Sequence, residues 1–174
     1  MKKILLVHGI FMRPLVMRSL AKHLRKEGYE VEIFGYPFYP KKKHLTDDFL
    51  QKVFEYKPEV VIGHSLGGNI TAHQLSEISE QVKSVVCLGS PLGGSAIAKK
   101  ISEGWLSFVI PKFASEMLTR PVMIPLRSPE LAVIAGTKNT TGFRLLFPVL
   151  TGSNDGTVAT AETRVLGREC SLHY

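Results

Sequence analysis

Short apolar segments of strand length recur along this chain, and most of them are separated by segments with helical periodicity. Strands buried on both faces of a parallel sheet read as continuous apolar runs, which is the pattern found here. Alternation of such strands with helices indicates an α/β fold with a mostly parallel, open sheet and helices on both faces. The predicted strands are residues 3–7, 29–36, 59–62, 83–89, 131–137 and 170–174, and the predicted helices are residues 14–28, 45–56 and 70–79.

One stretch departs from this regular alternation. Residues 91–129 contain Gly93, Gly94 and five prolines, and they show no clear strand or helix pattern. No internal repeat and no linker divides the 174 residues, so we expect a single domain over residues 1–174. Within it, residues 92–127 are the candidate for a cap or for a wall of a substrate pocket.

Composition excludes membrane and secreted classes of protein. Hydrophobic residues make up 44% of the chain and charged residues 21%, as in ordinary globular domains. No run approaches the ~20 apolar residues of a membrane span. The first apolar run breaks at His8, which is too early for the core of a secretory signal. We therefore expect a cytoplasmic protein without stable membrane insertion.

Neither the cysteines nor the basic residues indicate a metal or nucleic-acid site. Cys87 and Cys170 lack the spacing of metal ligands and are too few for a disulfide framework. The formal net charge of +7 is compatible with solubility or with an anionic substrate. The densest basic run, residues 41–44, lies in no nucleic-acid-binding motif. We expect no metal and no nucleic-acid partner.

The segment "VIGHSLGGNI" joins a predicted strand to a predicted helix and contains the pattern G-x-S-x-G. Gly63 and Gly67 flank Ser65 at two residues on either side. In a very tight strand-to-helix turn, side chains at these positions would collide, and the serine takes strained backbone angles that raise its hydroxyl above the sheet edge. The pattern therefore indicates that Ser65 is a nucleophile; the alternative is a glycine-rich structural turn.

A serine nucleophile needs a base and an acid that orients the base. Asp155, in "TGSNDGTVA", is the one aspartate that follows Ser65, and it comes after the strand at 131–137. We predict that Asp155 is the acid, although an aspartate in such a loop also serves as an Asx turn or a helix cap. Glu130 and Glu162 are the next acids to test. His173 is the one histidine after Asp155 and hence the in-chain candidate for the base.

The anion that forms during acyl transfer needs two backbone N–H donors near Ser65. We predict that Leu66, at the start of the helix, supplies one of them. The loop "HGIF" after the first strand supplies the other from Ile10, since Gly9 lets the backbone approach closely. We assign His8 to a structural hydrogen bond that holds this loop, and His64 to packing.

Five segments carry a resemblance to a known family: "ILLVHGIF", "LAKHLRKEGYEVEIFGYP", "VIGHSLGGN", "SVVCLGSPLGGS" and "NDGTVATAETRVLG". In this order they resemble the α/β-hydrolase family, in its compact branch of small bacterial esterases and lipases. The resemblance implies a compact α/β-hydrolase fold and an ester-hydrolysing Ser-Asp-His enzyme without a cofactor. It also implies a catalytic histidine on a loop after the last strand, a few residues beyond Tyr174. Three interpretations follow: the last strand and the C-terminal helix are truncated, which we expect, or His173 is recruited, or the triad is incomplete. We also predict that His173 is not the base, because a side chain within the last strand reaches the serine less easily than the loop after it.

The leading hypothesis is a serine hydrolase that cleaves small-molecule carboxylic esters of short or medium acyl chain length. A thioesterase or an acyltransferase would use the same nucleophile, and a non-catalytic binding protein with this fold is the alternative from another class. Four aromatic residues are candidates for an apolar substrate pocket, with ordinary packing over the sheet as the other interpretation. They are Phe11, Trp105, Phe108 and Phe113.

Overall fold

The computed structural model describes residues 1–37, 42–105, 108, 110–125, 127–137, 153–155, 158–164 and 171–173. The strands among these residues are β1 (Lys3–Val7), β2 (Glu30–Phe34), β3 (Val60–His64), β4 (Ser84–Leu88), β5 (Glu130–Ile134) and β6 (Ser171–His173). The helices are α1 (Arg18–Lys26), α2 (Lys42–Tyr56), α3 (Leu66–His73), α4 (Leu75–Ile78), α5 (Ala96–Glu103) and α6 (Lys112–Thr119). Short 3₁₀ helices span Pro14–Met17 and Thr160–Thr163.

The strands described form one sheet in the order β2-β1-β3-β4-β5-β6, and every neighbouring pair is parallel. The predicted α/β class with a parallel open sheet is therefore confirmed. The chain moves outward from β1 to β2 and then returns to the other side of β1 for β3. Open α/β sheets bind their ligands at the carboxyl ends of the strands beside such a reversal. The fold thus directs attention to the ends of β1 and β3.

Helices cover both faces of the sheet, as predicted. On one face, alternate strand residues such as Leu5 and Val61 pack with Phe49 of α2 and Ile70 of α3, and all four are fully buried. On the other face, Ile4, Leu6 and Val31 pack with Met17 and Ala21 of the α1 region. Full burial of an aliphatic or aromatic side chain contributes about 1.5–3 kcal/mol, so these two layers hold the sheet rigid beneath its carboxyl edge.

The segment that the sequence marked as irregular contains two helices. α5 begins after Ser95, whose side chain accepts a hydrogen bond from the Ala98 N–H at 3.2 Å, and α6 begins after Pro111. The two helices pack against each other, and α6 also packs on α3. They escape a periodicity search because each has only eight residues, whereas a window for helical periodicity needs 11 or more.

The helix predicted from residue 70 to 79 differs at both ends. It begins at Leu66, directly after Ser65, and it is interrupted at Gln74 before a single further turn, α4. At the other end of the chain, the predicted strand 170–174 is described for Ser171–His173 only, because Cys170 and Tyr174 lie outside the described residues. In the described part of the chain, no helix is both long enough and apolar enough to span a bilayer.

Candidate active site

Ser65 lies between β3 and α3 with φ 51° and ψ −120°. A positive φ is uncommon for a residue with a side chain and costs on the order of 1–3 kcal/mol. The Ser65 N–H donates to the Leu88 carbonyl at 2.9 Å, and the Ser65 carbonyl accepts from the N–H groups of Gly68 and Asn69. These bonds hold the strained turn in place at the carboxyl edge of the sheet.

Three glycines allow this turn. A Cβ at Gly63 would lie 2.5 Å from the Cα of Gly68, and a Cβ at Gly67 would overlap the carbonyl oxygens of Val7 and His8. Both positions of the G-x-S-x-G pattern therefore require glycine, as the sequence predicts. Sequence reasoning missed the third: a Cβ at Gly68 would overlap the Ser90 hydroxyl. The run of two glycines after Leu66 was the available signal.

The loop after β1 lies beside the serine. A Cβ at Gly9 would be 3.1 Å from the Cβ of Ser65, so the absence of a side chain permits this contact. Neither the Leu66 N–H nor the Ile10 N–H donates a hydrogen bond to any described residue. Backbone donors at the start of a helix and in an adjacent loop are the groups that stabilise a developing oxyanion. The predicted donors are thus both at this end of the sheet.

His8 and Tyr36 hold this loop together. The backbone N–H of Tyr36 donates to His8 Nε2 at 3.2 Å, and the Tyr36 hydroxyl donates to the His8 carbonyl at 2.6 Å. Their rings stack at 3.9 Å between centroids. Because Nε2 is an acceptor, Nδ1 carries the proton and donates to the Gly9 carbonyl at 2.9 Å. His8 is fully buried, which lowers its pKa and keeps the imidazole neutral. Sequence reasoning gave no role to Tyr36.

Asp155 lies at the carboxyl ends of β4 and β5. A Cβ at Gly89 would be 3.3 Å from Asp155 Oδ2, and a Cβ at Gly136 would be 2.8 Å from the Asp155 Cβ. Asp155 Oδ1 accepts from the Val158 N–H at 2.8 Å, and the Asp155 N–H donates to the Val158 carbonyl at 3.2 Å. The local turn bond and the position at the sheet edge are therefore both present.

The two other candidate acids, Glu130 and Glu162, lie elsewhere. Glu130 begins β5, so it is at the opposite edge of the sheet, where its carboxylate accepts from Ser84 Oγ at 3.4 Å. Glu162 binds two backbone N–H groups, those of Ala96 and Ala159. Of these carboxylates, Asp155 is the one beside the ends of the central strands.

The environment of His64 involves both the Gly9 loop and Asp155. Burial lowers the pKa of His64, and the negative charge of Asp155 opposes that shift. His64 Nδ1 would be 3.1 Å from a Cβ at Gly9, so the ring lies under the loop that carries Ile10. This agrees with a packing role, and it shows that the charge of Asp155 acts on the residue next to Ser65.

The strand register separates His173 from Ser65. The Cα of His173 pairs with Ile134, which pairs with Leu88, and Leu88 pairs with His64. Three strand spacings of ~4.8 Å place the His173 backbone about 14 Å from that of His64. A general base must come within ~3 Å of the serine oxygen. This separation supports the prediction that His173 is not the base.

The four aromatic residues assigned to a pocket have different environments. Phe113 is packed in the main core, while Trp105 is 84% exposed and Phe108 is 70% exposed. Phe11 directly follows Ile10, with φ 56°. A surface cavity of about 220 Å³ lies at the far end of α3 from Ser65. It is lined by Ala72, His73, Leu75, Ser76, Arg120, Pro121, Met123 and Pro125.

No cluster of three or more His, Cys, Asp or Glu side chains that could hold a metal ion occurs among the described residues. The candidate site therefore consists of one strained serine, two backbone donors, one carboxylate and the loops between them.

Comparison with solved structures identifies proteins with the same fold. The mature form of a lipase from Bacillus licheniformis matches 99% of this chain and 84% of its own, with a TM-score of 0.72 and 19% identity. A metagenomic carboxyl esterase matches 98% of this chain and 62% of its own, with a TM-score of 0.77 and 18% identity. A tomato methylketone synthase I variant matches 84% and 82%, with a TM-score of 0.54 and 14% identity.

The chain spans less than two thirds of that esterase, and it spans 46% of the propeptide form of the lipase. No family model and no curated protein matches the chain. At these identities the likeness establishes the fold alone.

The neutral state of His8 predicts a loss of stability in acid. Because burial lowers its pKa from 6.5, the folded protein binds the His8 proton less readily than the unfolded chain does. Its stabilising contribution is complete above about pH 6.5 and is lost as the pH falls from there through the folded-state pKa. One such group changes the free energy of unfolding by at most about 1.4 kcal/mol per pH unit. Urea denaturation of the parent and of His8→Gln between pH 5 and 8 measures this slope.

We expect a shallower slope in His8→Gln. The slope does not vanish, because burial also lowers the pKa of His64 and His73. His23→Gln removes an exposed imidazole from α1 and serves as the control. Equal slopes in the parent and in His8→Gln would contradict the assignment.

Proposed function

We propose that this chain, which has the α/β-hydrolase fold, is a serine hydrolase that cleaves carboxylic esters through an acyl-enzyme on Ser65. The strained backbone of Ser65, with the Gly9 loop packed against it, is the observation that supports the proposal most. Such strain persists only where the surrounding structure enforces it, and it is concentrated at functional sites. The solved structures of a lipase and a carboxyl esterase with this fold make ester cleavage the natural first activity to test.

In the proposed reaction, the Ser65 hydroxyl attacks the ester carbonyl carbon while a histidine accepts its proton. The negative charge that develops on the carbonyl oxygen accepts hydrogen bonds from the N–H groups of Leu66 and Ile10. The histidine then donates its proton to the departing alcohol. Water, activated by the same histidine, attacks the acyl group and releases the acid and Ser65. Asp155 orients the histidine and stabilises its positive charge.

The proposed substrate is a small-molecule ester with a short or medium acyl chain. Phe11, next to the Ile10 donor, and the exposed aromatic residues Trp105 and Phe108 are its proposed apolar contacts. A thioesterase or acyltransferase would give the same acyl-enzyme and differ only in the groups that enter and leave. Matched oxygen esters and thioesters, assayed with and without an alcohol acceptor, distinguish these activities.

Ser65→Ala should abolish both turnover and labelling of the full-length protein. Removing the nucleophile of a triad costs about 10⁶ in kcat. We expect a fluorophosphonate probe to label the parent and Ser19→Ala, in which an exposed serine of α1 is replaced, and to leave Ser65→Ala unlabelled. Labelling of Ser65→Ala at full strength would show that another residue is the nucleophile. Tight binding of an ester without turnover or labelling of the parent would favour the non-catalytic alternative.

Asp155→Asn should keep the fold and lose about 10⁴ in kcat, because the histidine adopts the wrong tautomer. The amide oxygen of the new side chain can still accept from the Val158 N–H, so the turn is retained. Steady-state ester hydrolysis measures the loss, and Asp48→Asn on α2 is an exposed control for the same substitution. An unchanged kcat would remove Asp155 from the triad.

His173→Gln should have little effect on the rate at which the probe labels Ser65. The reason is the separation of about 14 Å that follows from three strand spacings. A fall approaching that of a triad knockout would instead identify His173 as the general base, and the register argument would be wrong.

A further inference from the structure

The turn that carries Asp155 has bonds between its own residues. Asn154 and Ala159 form an isolated antiparallel bridge, and the Thr160 N–H donates to the Ser153 carbonyl at 2.8 Å. These bonds define the shape of the turn. The Asp155 side chain lies against Gly89 and Gly136, at the ends of β4 and β5.

The carboxylate of Glu162 attaches this turn to another part of the chain. Oε1 accepts a hydrogen bond from the Ala96 N–H at 2.6 Å, and Oε2 accepts one from the Ala159 N–H at 2.9 Å. Ala159 closes the Asp155 turn, and Ala96 is the first residue of α5. One carboxylate therefore joins the turn to the helix that begins after β4. Hydrogen bonds with an ionised acceptor are roughly twice as strong as neutral ones.

The backbone of the same segment adds a second attachment at this point. The Gly93 N–H donates to the Glu162 carbonyl at 2.7 Å, and a Cβ at Gly93 would lie only 2.8 Å from the Arg164 carbonyl oxygen. Gly93 and Ala96 both follow β4. Gly89, the residue directly after that strand, lies next to Asp155 Oδ2. Glu162 and the Asp155 carboxylate therefore both contact the stretch of chain from Gly89 to Ala96.

We infer that Glu162 is a positioning residue that fixes the Asp155 carboxylate by joining its turn to the N-terminus of α5. This inference rests on the proposed function, in which Asp155 is the catalytic acid. Glu162 does not serve as the acid itself, because both of its carboxylate oxygens are engaged by backbone N–H groups. α5 is the first helix of the segment 92–127. Through its bond to the Ala96 N–H, Glu162 therefore also connects the Asp155 turn to the proposed substrate wall.

The test uses the full-length protein with Glu162→Gln, Glu162→Ala and the control Glu103→Gln, which changes an exposed glutamate at the other end of α5. Displacing a catalytic group by about 1 Å costs as much as 10²-fold in rate. We expect Glu162→Ala to lower kcat by about this factor, with a smaller loss in Glu162→Gln and none in Glu103→Gln. KM should change little, since Glu162 binds no substrate.

Two readouts separate positioning from a merely structural role. A nearby carboxylate raises the pKa of the histidine base, so displacing Asp155 should move the acidic limb of kcat/KM to lower pH. In addition, Glu162→Ala should cause no further loss in an Asp155→Asn background, because the effect of Glu162 passes through Asp155. Multiplicative losses in the double variant, or an unshifted pH limb, would overturn the inference.

Hydrogen exchange at Ala96 and Ala159 reports the two bonds independently of activity. Faster exchange at both amides in Glu162→Gln is expected, and unchanged exchange would overturn the inference. Should Glu162→Ala fail to fold, the milder Glu162→Gln gives the same three measurements. Failure of the proposed function would appear differently, as full activity in Ser65→Ala and Asp155→Asn.

Discussion

The contact between the start of α3 and the ends of β1 and β3 is the constraint on which the rest of the site depends. It requires backbone to lie against backbone, and side chains at Gly63 or Gly67 would prevent it. Because the helix starts so close to the sheet, Ser65 adopts a positive φ directly beyond the carboxyl end of β3. The same contact brings the Gly9 loop within van der Waals distance of the serine.

Around this contact, a neutral histidine lies on the side of the Gly9 loop and a carboxylate lies at the ends of β4 and β5. Burial holds His8 neutral, so its imidazole adds no charge beside the proposed oxyanion. The negative charge of Asp155 lies beyond the ends of β4 and β5, one and two strands from β3, and still affects His64. An arrangement of fixed backbone donors on one side and a carboxylate on the other suits a reaction in which charge develops between them.

Local signals predicted most of the fold. Each of the six predicted strands overlaps a strand of the sheet, because a buried parallel strand requires an apolar run that is visible in a few residues. The helices α5 and α6 were missed, because each has only eight residues, which is too little sequence for a periodic signal. The periodic pattern marked α3 only from residue 70, and its start at Leu66 was inferred from the G-x-S-x-G turn alone. Gly67 and Gly68 are poor helix formers whose helical state is imposed by packing on β1 and β3.

The sequence by itself determined the parallel α/β sheet and the strained turn at Ser65, because both depend on residues that are neighbours in the chain. It also indicated Asp155, the one aspartate after Ser65. Tertiary structure decided that Glu130 lies at the wrong edge of the sheet, that Glu162 bonds to α5 and that His173 is three strands from the serine. These facts follow from the order and register of strands far apart in sequence, and hydrogen bonding between such strands leaves no trace in any short segment.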